Sequence, residues 1–248
     1  MQGSLESSAV NHVCAIHLRP TAPLAERVLL PGDPGRALAL AQHLLSEPRM
    51  FNHHRGLWGY TGTASDGEPL TIQSTGMGGP SAAIVLHELI ELGVRRAIRV
   101  GTCGALDPEL SLGDLVVARE AIAADGASAA LGANGRTRAN PSLTDALTKA
   151  ASTRHDGLIV STDLFYEPSN ERNGSWRAEG ALAVEMEASA LFAVGAAAGV
   201  AVACALIVTD TFDPNGARTR IDDDSLVSAV ERMGRAAATA LQNPLDDA

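Results

Sequence analysis

The residues best equipped for chemistry sit at abrupt exits from short apolar runs. Residues 27–31 (RVLLP) give way to Gly32-Asp33-Pro34-Gly35-Arg36, and the run 70–76 leads into Gly76-Met77-Gly78-Gly79-Pro80-Ser81. A third run carries Arg99 and opens into Gly101-Thr102-Cys103-Gly104, and a fourth ends in Thr209-Asp210. Glycine lets a backbone approach a ligand closely, and a turn entering a helix offers unbonded N–H groups, which is an anion site. With Arg36, Arg99 and a hydroxyl added, the chemistry indicated is the capture of a small oxyanion. Each piece also has an ordinary reading. Gly-Asp-Pro-Gly is a common turn, and an arginine between Ile98 and Val100 is either an anion ligand or the ion-pair partner of a buried acid.

The segment Val184-Glu185-Met186-Glu187-Ala188 places two carboxylates two residues apart in an alanine-rich, apolar stretch. On a helix they would not face the same way. The spacing therefore predicts that one caps a helix N-terminus while the other points into a cleft, unless both merely complement the helix dipole. Other chemistries are excluded. GTCG and GMGG do not give G-x-G-x-x-G, because Ser81 stands where the third glycine would fall. Ser81 and Ser161 occupy no nucleophile elbow, and the seven histidines, His53 and His54 included, show no metal-binding spacing.

Elements of two periods must position these groups. Strands are predicted at 27–31, 70–76, 97–101, 114–118, 157–162 and 200–209, and helices at 34–45, 81–92, 141–152, 187–198 and 222–241. The Asp33-Pro34 pair is a helix-start signature. The unbroken apolar run 200–208 is the pattern of a strand covered on both faces. Alternating strands and helices imply an α/β fold: one domain over 12–242, with a mixed, largely parallel central sheet flanked by helices, and flexible ends at 1–11 and 243–248. In such sheets ligands collect beyond the carboxyl ends of the strands, where the polar residues above are concentrated.

Composition narrows the function further. With 46% hydrophobic residues the chain can build a core, yet its longest apolar run is about half of the roughly 18–20 residues that span a bilayer. Twenty-nine acidic against 19 basic residues give a formal charge of −10, which disfavours nucleic acid and acidic membranes as partners. Cys14, Cys103 and Cys204 lie far apart without CxxC spacing, and residues 1–13 lack the features of a secretion signal, so a reduced cytoplasmic enzyme is expected.

Seven collinear segments carry a resemblance: AERVLLPGDPGRA (25–37), HRGLWGYTG (54–62), TGMGGPSAAI (75–84), IRVGTCGAL (98–106), STDLFY (161–166), VEMEASALF (184–192) and VTD (208–210). Together they resemble the nucleoside phosphorylase family of hexameric purine nucleoside, uridine and methylthioadenosine phosphorylases. The resemblance implies a phosphate site of Gly32, Arg36, Arg99 and Thr102, completed by Arg55 of a neighbouring subunit. It implies a ribose site of Met186 and Glu187, with His17 reaching across a dimer interface to the 5′ position. The base site would comprise Phe165, Glu185, Cys103 and Gly104, and Asp210 would be the catalytic acid on the purine side. It further implies a homo-oligomer built as a trimer of dimers, with nucleoside and phosphate as ligands. Inorganic phosphate would be the co-substrate, and no metal, nucleotide or redox cofactor is implied.

The physics is consistent with that implication. Phosphorolysis breaks an N-glycosidic bond through an oxocarbenium-like transition state, as glycoside cleavage does. Arginines and backbone N–H groups would desolvate and orient the phosphate, and a protonated acid would meet the departing base. Purine is the expected base, because the uridine branch carries an arginine where this chain has Asp210. Two features keep uridine or methylthioadenosine cleavage open: Thr102, and Asn170 with Arg172 in a loop like the one that reads uracil. A nucleosidase and a non-catalytic nucleoside-binding protein are the remaining alternatives. Arg218 and Arg220 are both candidates to assist Asp210.

Overall fold

The computed structural model describes residues 15–166, 171–213 and 217–242. The terminal stretches expected to be flexible, 1–11 and 243–248, and the positions Cys14 and Asn170 lie outside the described residues. The strands are β1 (Arg27–Leu30), β2 (Ser46–Asn52), β3 (Gly59–Thr63), β4 (Pro69–Gln73), β5 (Arg96–Ala105) and β6 (Leu115–Ala124). They continue with β7 (Arg136–Arg138), β8 (His155–Thr162), β9 (Ala183–Glu185), β10 (Ala201–Phe212) and β11 (Arg218–Arg220). The helices are α1 (Pro34–Leu44), α2 (Gly79–Glu91), α3 (Gly126–Ala130), α4 (Pro141–Ala151), α5 (Glu171–Ala178), α6 (Ala188–Ala198) and α7 (Asp223–Ala240).

The strands form one mixed sheet in the order β11-β10-β6-β8-β9-β5-β1-β4-β3-β2, with β7 on β6. β10 also pairs with β5 in parallel, so the circuit β10-β6-β8-β9-β5 closes on itself. The expected α/β class with a mixed central sheet is the one observed. Parallel pairing runs through the centre, where β1 lies between β4 and β5, and antiparallel hairpins such as β2–β3–β4 and β10–β11 occupy the flanks.

β10 shows why its sequence is apolar without alternation. Val202, Cys204, Leu206 and Val208 enter one core with Val85, Leu86, Leu191 and Phe192 of α2 and α6. Ala201, Ala203, Ala205 and Ile207 enter the other core with Leu40, Leu143 and Met233 of α1, α4 and α7. A strand covered by helices on both sides must be apolar at every position.

Helix starts follow the residue chemistry. Asp33 caps α1 by accepting from the Arg36 N–H at 2.6 Å, Asn140 caps α4 and Asp222 caps α7 in the same way, and each satisfies an otherwise unbonded donor. Several expected strands are longer than the apolar pattern suggested. β5 and β6 run on to Ala105 and Ala124, and β10 to Phe212, because ladder hydrogen bonds continue where side chains turn polar toward the site. The helix expected from 187 begins at Ala188, with Glu187 as its N-cap residue.

Close packing of α6 on β10 depends on Gly195. A methyl group there would lie 2.4 Å from Val202 Cγ2 and 2.9 Å from the Val200 carbonyl oxygen. Alanine would improve intrinsic helix propensity by about 1 kcal/mol, but overpacking a tight core costs about 1–3 kcal/mol. Gly195→Ala is therefore expected to lower stability in chemical denaturation, and an unchanged or raised midpoint would contradict this packing.

Candidate active site

A cavity of about 590 Å³ opens where β1, β5, β8, β9 and β10 end. Of the residues expected to form a site, Gly32, Arg36, Arg99, Thr102, Cys103 and Gly104 line it, as do Phe165, Glu185, Met186, Glu187 and Asp210. His17 and Arg55 are not among its lining residues.

Arg99 is the centre of the first polar group. It is 4% exposed, and its Nε donates to Glu185 Oε2 at 2.8 Å while Nη2 donates to Glu187 Oε2. Its remaining terminal nitrogen, Nη1, is buried and has no hydrogen-bond partner among the described residues. Arg99 is thus the ion-pair partner of two buried acids, and it also keeps one donor in reserve. A buried charged donor without an acceptor is costly, so the arrangement is suited to an anion that supplies one. Burial alone would lower the basicity of Arg99, but the charges of Glu187 and Glu185 outweigh it and hold the guanidinium firmly cationic. Burial pushes Arg36 down from its ordinary value, Asp33 opposes that, and the charge of Arg99 adds to it. Two mutually repelling guanidinium groups thus face one cavity, a charge arrangement that an oxyanion relieves.

The backbone makes room for this. A Cβ on Gly101 would sit 2.8 Å from both Cζ and Nη2 of Arg99, so the glycine two positions along the same strand face is what admits the guanidinium. Gly32 packs against the Gly76 carbonyl, where a Cβ would lie at 3.2 Å.

The paired glutamates divide their labour as their spacing predicted. Glu185 accepts from Ser161 Oγ, from the Glu187 N–H and from the Ala188 N–H, closing the first turn of α6. With Arg99 added, its carboxylate is engaged within the protein. Glu185 lines the cavity and at the same time supports Arg99 and the helix start. Glu187 accepts from the Gly78 N–H at 2.6 Å as well as from Arg99. Burial raises its carboxyl above the ordinary value; Arg99 pulls the other way and the charge of Glu185 adds to the rise.

The second polar group surrounds Asp210. The β10–β5 register shifts between Val208 and Asp210, a bulge that re-aims the side chain at the strand exit. Asp210 is buried, accepting from Thr209 Oγ1 at 2.8 Å and from Arg218 Nε at 2.8 Å; Arg220 Nη1 lies farther away at 3.7 Å. Arg218 also stacks on Phe165, with Cζ 4.8 Å from the ring centroid. The ambiguity between the two arginines is thus resolved by contact: Arg218 is the bonded partner. It comes from β11, a strand that the sequence pattern did not reveal. Burial pushes the thiols of Cys103 and Cys204 up, so neither is a ready nucleophile.

Sequence reasoning missed Trp176 and Phe212, which also line the cavity. Phe212 packs near Gly104, where a Cβ would meet its ring at 3.4 Å. With aromatics at only 3% of the chain, their scarcity was the signal that could have found both. Arg172 stacks on Trp176 at 4.9 Å and is not among the lining residues.

Residues 26–243 match the family model described as the phosphorylase superfamily. The chain is 39% identical over 196 residues to a protein of Caldanaerobacter subterraneus subsp. tengcongensis named purine nucleoside phosphorylase DeoD-type, covering 76% of this chain and 84% of that one. It is 38% identical to proteins of the same name from Clostridium beijerinckii and Geobacillus kaustophilus. The first match spans 80% of this chain and 86% of the relative, the second 77% and 83%.

Since Gly101 holds open the space of the Arg99 guanidinium, Gly101→Ala is expected to weaken oxyanion binding at least about tenfold, the loss of one charge-assisted hydrogen bond. Titration calorimetry with inorganic phosphate measures this directly, and wild-type affinity in a folded variant would refute it.

Proposed function

The chain belongs to the phosphorylase superfamily, and from that premise we propose that it cleaves the N-glycosidic bond of purine ribonucleosides and deoxyribonucleosides with inorganic phosphate. The products are the free base and ribose or deoxyribose 1-phosphate. The observation that carries this reading is the buried Arg99, ion-paired on two nitrogens and left with a third donor, in the same cavity as Arg36 and the Asp210–Arg218 pair.

Phosphate is a poor nucleophile in water because it is strongly hydrated. Here Arg99, Arg36, the hydroxyl of Thr102 and the turn at Gly32 replace that hydration with fixed donors and hold an oxygen toward the anomeric carbon. As the bond to the base stretches, positive charge grows on the sugar, and the bound phosphate beneath it provides the opposing charge. Glu187 accepts from the sugar hydroxyls and Met186 packs against the ring. Phe165 packs against the base, with Cys103 and Gly104 forming its floor. Asp210 hands a proton to N7 of the leaving purine, and Arg218 steadies the carboxylate that results.

His17 and Arg55 act on a second copy of the chain, so the smallest active unit is a dimer and the assembly a trimer of dimers. Three features support this. Neither residue lines the cavity of its own chain. Arg55 is exposed and held at φ 58°, a strained conformation for a side-chain-bearing residue and one that needs a reason. Ile16 beside His17 and Trp58 close to Arg55 in the chain are exposed apolar side chains, as are Met77 and Ile84 at and on α2, features suited to a partner.

The test is release of free base from inosine, guanosine, adenosine, methylthioadenosine and uridine with and without phosphate. Phosphate-dependent cleavage of the purine nucleosides is expected; equal release in phosphate-free buffer, or binding without release, overturns the reading. Asp210→Ala is expected to lower kcat on inosine about 10²- to 10⁴-fold, the usual contribution of a general acid, while phosphate binding is retained.

A further inference from the structure

Glu88, near the C-terminal end of α2, carries an unusual concentration of donors. It is 7% exposed, and its Oε1 accepts from the Ile16 N–H at 3.1 Å and from the His17 N–H at 2.9 Å. Its Oε2 accepts from the Leu18 N–H at 2.7 Å. The imidazole of His17 closes the set, with Nδ1 2.6 Å from Oε1. One carboxylate thus gathers three successive backbone donors and a ring nitrogen, an anion nest built from the segment that leads into the domain. The segment is pinned further by His54 Nδ1 against the His17 carbonyl at 3.0 Å and by the Arg19 N–H on Asn52 Oδ1 at 2.9 Å.

Tethering alone would need only the backbone bonds. The ring contact does something more. A carboxylate can only accept, so the nitrogen facing it must carry the hydrogen. Burial by itself would raise the Glu88 carboxyl, but the hydrogen bonds from His17, Leu18 and Ile16 outweigh it and hold it below its ordinary value, so it stays an acceptor. The neutral ring is thereby fixed as the Nδ1–H tautomer, with a bare lone pair on Nε2.

We propose that Glu88 is a positioning residue for the reaction. By fixing the tautomer and direction of His17 it presents Nε2 as a hydrogen-bond acceptor, so the enzyme favours nucleosides whose 5′ carbon bears a hydroxyl donor over 5′-deoxy and 5′-thioether nucleosides. The inference rests on the assignment of His17 to the 5′ end of a nucleoside in the partner's cavity. It adds a residue that touches no substrate, and it names the 5′ substituent that the site selects. α2 then serves two sites at once: the N–H of Gly78 at its start holds Glu187, and Glu88 near its end holds His17.

The experiment compares kcat/KM for inosine and 5′-deoxyinosine in the wild type, Glu88→Gln, His17→Ala and the double variant. The wild type is expected to favour inosine about tenfold or more, the worth of one well-made hydrogen bond. Glu88→Gln is expected to erase most of that preference, and the double variant to lose no more of it than His17→Ala alone. A fall of equal factor on both nucleosides, leaving the preference intact, would reduce Glu88 to a tether and overturn the proposal. Nitrogen-15 NMR of the wild-type His17 ring at pH 8 gives a readout that does not depend on the variants folding. A ring protonated at Nδ1 and bare at Nε2 supports the proposal, and a ring carrying a hydrogen on Nε2, with or without one on Nδ1, refutes it. Failure of the phosphorylase reading looks different: the wild type would release no hypoxanthine from either nucleoside at saturating phosphate.

Discussion

Everything at the strand exits is organised by one buried guanidinium shared between two carboxylates. Arg99 cannot be in the core without them, because an unpaired charge there would cost several kcal/mol. Glu185 and Glu187 meet that need and are themselves placed by it. Glu185, fixed by Arg99 and Ser161, starts α6; Glu187, fixed by Arg99 and Gly78, joins α6 to the start of α2. The ion pairs therefore connect β5, β8, β9 and two helices around a single point. The unmet Nη1 is what distinguishes this cluster from a purely structural one.

The sheet topology explains how that point can be both rigid and accessible. Because β5 pairs with β1, β9 and β10, the strand that carries Arg99 is bonded along both edges and buried on both faces. Closure of the strand circuit through β10 brings Asp210 and Arg99 into the walls of one cavity although 111 positions separate their numbers (210 − 99). The bulge before Asp210 turns its carboxylate toward the cavity, and β11 folds back to deliver Arg218. Rigid strands and the turns that leave them thus place Arg99, Arg36 and Asp210 in one cavity, while Phe165, Trp176 and Phe212 reach it from strand ends and the segments that follow them.

The sequence made some of this legible and concealed the rest for physical reasons. The long strands and helices were readable because their apolar periodicity reports burial. Arg36, Arg99, Thr102, Glu187 and Asp210 were readable because polar residues at strand exits in an α/β pattern have few structural duties there. What escaped notice has no such local signature. β9 and β11 are three residues each and exist only through their partners in the sheet, so period and propensity say nothing of them. The bonding of Arg218 rather than Arg220 to Asp210 follows from hairpin register, a property of two strands together. The bonds of Glu185 to Arg99, Ser161 and the start of α6 were not legible, because they depend on strands that meet only in the sheet. Glu88 was overlooked for a related reason: on an amphipathic helix a glutamate reads as solvated, and its burial under residues 16–18 depends on a segment some 70 positions away.

An acidic protein that binds an anion must do so at short range. The formal charge of −10 opposes the approach of phosphate, but exposed charges are screened beyond about 8–10 Å at ordinary ionic strength, while a desolvated guanidinium at hydrogen-bond distance is not. Locally the balance is close to even, with Arg36 and Arg99 against Glu185 and Glu187. Affinity therefore comes from the placement of donors rather than from net field. That choice carries selectivity. A broad basic surface would attract nucleic acids and polyphosphates as readily as orthophosphate, whereas one buried and one half-buried guanidinium lining a single cavity of an otherwise negative molecule are suited to an anion small enough to reach them.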